Sequence, residues 1–319
     1  RSTNIILGAA NALIENNTER LGKNLWTDQL EGEPIILYQA YNEHDEARFV
    51  ADILKDWMSK GELYSDAAVL YRSNAQSRAI EEALLRLSIP YRIYGGLRFY
   101  ERMEIKNAIS YLKIIFNNSD NPAFERSISN PTRGVGEKTL AKIRATALKF
   151  NISYIKASAR LIDEGAISGR GGAGLRSYLE FVARCKEFIE ENTLSDLMEE
   201  IIKTSGLHAY HAKEPGEKGK TRIENLEELV TATKNFEQSI TENKTNKEIA
   251  EEYLDVISLD SGDRQASESD DAAQLMTLHS AKGLEFKLVL MTGLEESLFP
   301  HGRSMESNSQ LEEERRLCY

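Results

Sequence analysis

The sequence predicts an α/β protein, with a parallel sheet interrupted by a long all-helical block. Three observations carry that expectation. Before Gly96, short apolar strand-like runs alternate with helix-like runs. From about Tyr100 to Val256 the apolar spacing is helical almost throughout. Two further strand-like runs, Gln274 to Leu278 and Lys287 to Met291, then follow. Strands that alternate with helices read as βαβ units, and therefore as a parallel sheet.

The elements follow in order. Ile5 to Ile14 has helical spacing and alanine content. Pro34 to Tyr41 is apolar and rich in isoleucine and tyrosine, which predicts a strand. The next helix places Phe49, Val50, Ile53, Leu54 and Trp57 on one face. Ala67 to Tyr71 reads as a short buried strand, Ala79 to Leu87 as a helix, and Pro90 to Tyr94 as a third strand ended by Gly95-Gly96. The helical block is broken at Asn130-Pro131, Gly165, the Gly169 to Gly174 run and Glu214-Pro215-Gly216. Ser261 to Asp271 is polar, acidic and small, and reads as a linker. The simplest organisation is a discontinuous sheet domain, residues 1–97 and 268–319, with a helical domain at 98–267 inserted between its parts. No internal repeat occurs.

Composition narrows the function. The 319 residues suffice for two domains of ordinary size. With 41% hydrophobic and 29% charged residues the chain is globular. A net charge of -11 disfavours a nonspecific polyanion binder, so any nucleic-acid site must be a local basic track on an acidic body. Cys185 and Cys318 are the only cysteines and imply no disulfide framework. No apolar run approaches the ~20 residues that span a bilayer, and Arg1 to Asn4 does not resemble a signal peptide. The abrupt start and end suggest a portion of a longer protein.

The richest stretch is Leu275-Met276-Thr277-Leu278-His279-Ser280-Ala281-Lys282-Gly283-Leu284-Glu285-Phe286. An apolar strand there gives way to a small, polar loop. Open α/β sheets bind ligands beyond the carboxyl ends of their strands, so chemistry is expected at this loop. A lone histidine is more often structural, but the neighbours of His279 are polar rather than core-forming. Tyr71-Arg72-Ser73-Asn74-Ala75-Gln76-Ser77-Arg78 likewise leaves a strand and opens a helix. It can offer N–H groups, Arg72 and Asn74 to a phosphate, or serve simply as a helix cap. Phe299-Pro300-His301-Gly302-Arg303 follows the last strand and also reads as a solvated turn. Asn130 to Leu140 contains Gly134-Val135-Gly136 entering a helix, which suits either an anion contact or a plain corner between helices. Three motif echoes fail. No strand precedes Gly169-Arg170-Gly171-Gly172-Ala173-Gly174, as a dinucleotide fingerprint requires. Glu214 replaces the first P-loop glycine ahead of Gly219-Lys220-Thr221, and His208 with His211 lacks a third metal ligand.

The Leu275 to Phe286 block resembles motif V of the UvrD/PcrA/Rep group of superfamily 1 DNA helicases, and the resemblance extends over the whole chain. It implies the second RecA-like domain of that family, domain 2A, in two pieces, with the helical 2B domain inserted. ATP and Mg2+ would bind between 2A and a first motor domain expected ahead of Arg1, which would supply the P-loop and the Mg2+ ligands; no metal site is expected in these residues. Arg1-Ser2-Thr3 resembles the end of the Asn-Tyr-Arg-Ser-Thr motif, so Arg1 would reach the γ-phosphate as the catalytic arginine. Glu285 would meet the ribose, with Gly283 in the same nucleotide loop. Arg72, Asn74, His279, Lys282 and His301 would contact single-stranded DNA. Thr132, Arg133, Gly134, Gly136, Lys138 and Thr139 would contact duplex phosphates. Glu312 to Tyr319 resembles the first half of motif VI, whose γ-phosphate arginine would lie past Tyr319.

The implied activity is the C-terminal motor half of a cytoplasmic, bacterial, ATP-dependent 3′-to-5′ helicase. It would translocate on single-stranded DNA and unwind duplex in DNA repair. Expected partners are single-stranded DNA, single-strand/duplex junctions and repair proteins, with no membrane. Lys220 to Leu226 looks nearest the UvrD branch. Alone, this portion is expected to be inactive. Two alternatives stay open: a helicase–nuclease subunit of the RecB or AddA kind, and a non-catalytic DNA-binding module on a RecA-like fold.

Overall fold

The computed structural model describes residues 2–18, 22, 24–28, 32–262 and 270–319. The chain divides into two compact units: Arg1–Arg98 with Gln265–Tyr319, and Phe99–Arg264.

The first unit begins with α1 (Asn4–Ile14) and α2 (Glu43–Ser59). The side chain of Asn42 caps α2 by accepting from the Asp45 N–H. Acidic Glu43, Asp45 and Glu46 occupy its first turn, where the helix dipole favours negative charge. Ala47, Val50, Ala51 and Leu54, at helical spacing, form its buried face. Then come β1 (Ala67–Tyr71), α3 (Ser77–Arg86) and β2 (Tyr91–Ile93). Arg78 is buried and binds Glu43 and Glu82, tying α3 to α2.

The second unit is helical among its described residues. It comprises α4 (Met103–Phe116), α5 (Asn121–Ser129), α6 (Glu137–Phe150), α7 (Tyr154–Asp163), α8 (Gly169–Glu191), α9 (Leu194–Thr204), α10 (Leu207–His211), α11 (Glu217–Ser239) and α12 (Asn246–Gly262). Its core is aromatic as well as aliphatic, with Tyr111, Phe124, Tyr178 and Phe181 buried together. The first unit then resumes with β3 (Ala273–Thr277), β4 (Leu288–Met291) and α13 (Asn308–Cys318).

The four strands form one sheet in the order β2-β3-β1-β4, and every pairing is parallel. β1 lies between β3 and β4. Ala67, Ala68, Val69 and Tyr71 are fully buried, as a strand covered on both faces requires. The register sets Tyr71 opposite Thr277 and Leu70 opposite Met291. All the carboxyl ends therefore open on one edge of the sheet.

Two elements differ from expectation. Pro34 to Tyr41 is not a strand. Ile35, Ile36 and Leu37 stand 58%, 76% and 86% exposed, so the apolar run is not in the core. Tyr38 stacks on Phe49 and donates its hydroxyl to Asp45. Strand preference expresses a fit to neighbouring strands, and none among the described residues pairs with this segment. The Gly169 to Gly174 run is no break either, because it forms the opening turns of α8. The expected linker at 261–271 falls largely outside the described residues.

Candidate nucleotide and nucleic-acid sites

Three of the four strands of the first unit, β1, β3 and β4, each lead into one of the expected loops. β1 leads into Arg72, and Ser73 then caps a short turn. The Ser73 N–H donates to Gln76 Oε1 at 2.8 Å, and Ser73 Oγ accepts from the Ala75 N–H. The cap and the expected phosphate loop are thus the same segment, with Asn74 half-buried within it. β3 continues one step further, as the Leu278 N–H donates to the Tyr71 carbonyl at 2.9 Å. His279 and Lys282 follow, both exposed. β4 ends where the Thr292 N–H donates to the Leu70 carbonyl. Its loop then passes through half-buried His301. Arg72 and the starts of the loops bearing His279 and His301 therefore share the carboxyl edge.

Glu285 does not share it. The Lys287 N–H donates to the Asp66 carbonyl, just ahead of β1. Glu285 lies two residues earlier, within about 8 Å of that amino-terminal edge. Strands rise ~3.3 Å per residue, so the two edges of β1 are roughly 13 Å apart. The loop from His279 to Glu285 thus crosses from one edge towards the other. Gly283, at φ +85°, makes the turn in a conformation that L side chains rarely adopt. Glu285 is exposed, and a carboxylate can accept two hydroxyl hydrogen bonds, which fits a ribose. Arg1 lies outside the described residues.

Arg72 is not an outward-reaching cation. Its Nε and Nη2 donate to both carboxylate oxygens of Glu314 at 2.9 and 2.8 Å. Glu314 also accepts from the His301 N–H and the Ser304 hydroxyl. Burial alone would raise this carboxyl. The Arg72 fork and charge, with the His301 N–H and Ser304, outweigh burial and hold it below the ordinary carboxylate value. Two residues earlier on α13, Glu312 is buried as well and accepts from the Thr18 N–H and hydroxyl at 2.8 and 2.7 Å. Sequence reasoning missed Glu312 and Glu314. The run Glu312-Glu313-Glu314-Arg315-Arg316 carries no local sign that two of its glutamates are buried.

In the second unit the turn from Thr132 to Gly136 enters α6, with Gly136 as its N-cap. Thr132, Gly134, Gly136 and Lys138 are exposed, and Thr139 is half-buried. Arg133 departs from the expected phosphate contact, because its guanidinium points inward. It donates to the carbonyls of Ser127, Pro131 and Ser205 at 3.1, 2.9 and 2.7 Å. It also lies against the faces of Tyr111 and Tyr178, 5.4 and 5.5 Å from the ring centroids. Three carbonyls and two ring faces offer a planar cation more partners than an exposed turn does. Burial raises both phenol pKa values, which keeps these rings neutral. The glycine run of α8 meets the same turn. A Cβ on Gly174 would fall 1.9 Å from the Arg133 carbonyl oxygen, so that close approach needs glycine.

The other echoes are structural. His211 is buried with Nδ1 2.6 Å from Glu214, which Arg222 also binds. A Cβ on Gly219 would strike the carbonyls of His211 and Glu214. Among the described residues no group of three or more His, Cys, Asp or Glu side chains could hold a metal. No helix among them is long and apolar enough to cross a membrane.

An all-parallel sheet flanked by helices, with polar loops at its carboxyl edge, is consistent with an α/β domain of the RecA-like kind. The family model for the UvrD-like helicase C-terminal domain matches residues 1–319, and the chain belongs to that family. It is 50% identical to DNA helicase II of Escherichia coli over 319 residues, all of this chain and 44% of that protein. It is 49% identical to DNA helicase II of Haemophilus influenzae over its full 319 residues, again 44% of the relative. Over 322 residues it is 40% identical to the ATP-dependent DNA helicase PcrA of Bacillus subtilis, covering 43% of that relative. The chain thus spans less than half the length of the curated relatives it matches.

Proposed function

We propose that this chain is the 2A and 2B portion of an ATP-dependent DNA helicase that moves 3′ to 5′ on single-stranded DNA and opens duplex during repair. One observation carries the reading. The parallel register delivers the Arg72–Asn74, His279–Lys282 and His301 loops from a single sheet edge, while Glu285 lies towards the other. Strand-gripping and nucleotide-sensing groups on different edges of one rigid sheet suit a motor that couples cleft closure to a shift along DNA. Asn74, His279, Lys282 and His301 would grip the strand, and Arg72, held by Glu314, would add one phosphate contact from its rim-facing edge. Imidazole and amide side chains suit stacking and backbone contacts that read no sequence.

ATP would supply the free energy, bound with Mg2+ whose ligands come from another domain. Here Glu285 would hold the ribose and Arg1 would face the γ-phosphate. Arginine suits that place because its charge is permanent and its fork matches phosphate oxygens. In the helical unit, Thr132, Gly134, Gly136, Lys138 and Thr139 would meet duplex phosphates at the N-terminus of α6, with Arg133 as their support. Junction DNA and repair proteins are the proposed partners, and the bacterial cytoplasm the proposed location. The 319 residues hold no G-x-x-x-x-G-K-S/T run, so this chain alone is expected not to hydrolyse ATP.

The test uses the whole protein. Glu285→Ala should raise the KM for ATP about tenfold or more while oligo-dT binding persists. His279→Ala and Asn74→Ala should instead raise the oligo-dT concentration needed to stimulate hydrolysis. A protein whose ATP hydrolysis ignores single-stranded DNA would defeat this reading.

A further inference from the structure

We propose that Glu314 is a positioning residue that holds two DNA-facing loops as one body and couples them to α13. This rests on the reading above, in which those loops meet single-stranded DNA. Glu314 is 6% exposed, and its carboxylate sits between two segments far apart in sequence. From one side it takes the Arg72 fork at 2.9 and 2.8 Å. From the other it takes the His301 N–H and the Ser304 hydroxyl, each at 3.3 Å. A carboxylate has about four acceptor positions, and these bonds use them.

Bidentate pairing fixes the plane of a guanidinium as well as its position. Glu314 therefore decides which edge of Arg72 faces the rim. The same oxygens set the main chain at His301, so the two loops cannot shift independently. α13 also holds the 17–18 segment through Glu312, which accepts from the Thr18 N–H and hydroxyl. Movement of α13 would thus reach the loops at the carboxyl edge through one side chain. Glutamine has Glu314's shape but would present an amide to the guanidinium, losing one arm of the fork and the charge. The half-buried arginine would then lose the charge of its Glu314 partner.

The experiment compares Glu314→Gln and Arg72→Lys with the unaltered whole helicase. Three quantities are measured: the oligo-dT concentration for half-maximal ATP hydrolysis, kcat at saturating oligo-dT, and the salt dependence of oligo-dT binding. Glu314→Gln should raise the half-maximal concentration about tenfold, the loss of one charge-assisted bond. The fall in kcat should be smaller than that rise. The log–log salt slope should become shallower by about 0.7, one phosphate contact on a single strand. Arg72→Lys keeps the charge but not the fork and should act in the same direction. Adding Arg72→Ala to Glu314→Gln should cost less than the sum of the two changes.

Equal losses in kcat and affinity, an unchanged salt slope, or additive losses in the double variant would overturn the proposal. Should Glu314→Gln fail to fold, wild-type oligo-dT affinity in Arg72→Lys would overturn it instead. If the unaltered protein hydrolyses ATP without regard to DNA, the functional reading falls and takes this proposal with it. A DNA-stimulated wild type beside an indifferent Glu314→Gln defeats this proposal alone.

Discussion

Arg72 and Arg133 stand in two loops, one on the sheet rim and one in the helical unit. Each is the arginine of a motif expected to meet DNA, and each turns inward. Arg72 turns to a single carboxylate, with bonds of 2.9 and 2.8 Å to Glu314. Arg133 turns to three main-chain carbonyls and two tyrosine faces. The difference matters because a carboxylate titrates and carbonyls do not. The first arrangement can be released by a proton or by a competing anion such as phosphate. The second is fixed scaffolding. Beside both arginines the exposed groups are smaller or more flexible: His279 and Lys282 on the neighbouring loop after β3, Thr132 and Lys138 around the turn into α6.

The largest expected effect tests the scaffolding claim. Arg133→Ala would strip donors from the carbonyls of Ser127, Pro131 and Ser205 and open a gap between Tyr111 and Tyr178. It should cost about 2–4 kcal/mol of stability, measured by denaturant unfolding. Arg133→Lys should recover little, since an ammonium cannot reproduce the planar fork. If Arg133→Ala unfolds within about 0.5 kcal/mol of wild type, the contrast with Arg72 collapses.

A middle-sized effect sharpens the contrast through pH. The folded state holds Glu314 below its ordinary value of 4.5. A depressed acid contributes stability above its unfolded pKa and loses it as pH falls through its folded pKa. The thermal midpoint of the wild type should therefore drop below pH 4.5 more steeply than that of Glu314→Gln. Arg133→Ala should shift the whole curve down without changing that acid limb. Parallel acid limbs for wild type and Glu314→Gln would remove the titratable half of the comparison.

The smallest stability effect concerns Lys138, exposed in the first turn of α6. Lys138→Ala should change stability by less than about 0.5 kcal/mol. Duplex binding by the whole protein should nevertheless weaken, with a salt slope shallower by about 0.9, one phosphate contact. An unaltered slope would leave the Thr132–Thr139 turn as a plain corner between helices.

Much of the architecture was legible because it is written in local periodicity. Ala67 to Tyr71, Gln274 to Leu278 and Lys287 to Met291 announce strands by their apolar runs, and strands stand there, the first two buried and the third only half-buried. The parallel pairing followed from alternation with helices. Pro34 to Tyr41 has equal strand character yet forms no strand and stays mostly exposed, because a strand is completed by a neighbour. The Gly169 to Gly174 run looked like a break, but it opens α8 where the Arg133 turn passes close by. The loops at the strand ends could be found from strand polarity. Which of their side chains face outward could not.

The order of residues alone established the helix and strand periods, the parallel sheet, the family resemblance and the loops worth watching. Those properties depend on neighbours a few positions apart. Only folding settled that Arg72 closes on Glu314, 242 positions away, that Glu312 and Glu314 are buried within the all-charged run 312–316, and that Glu285 lies towards the opposite sheet edge from Arg72. The physical reason is that a charged side chain takes whichever partner compensates its desolvation best, and here that partner comes from a distant part of the chain.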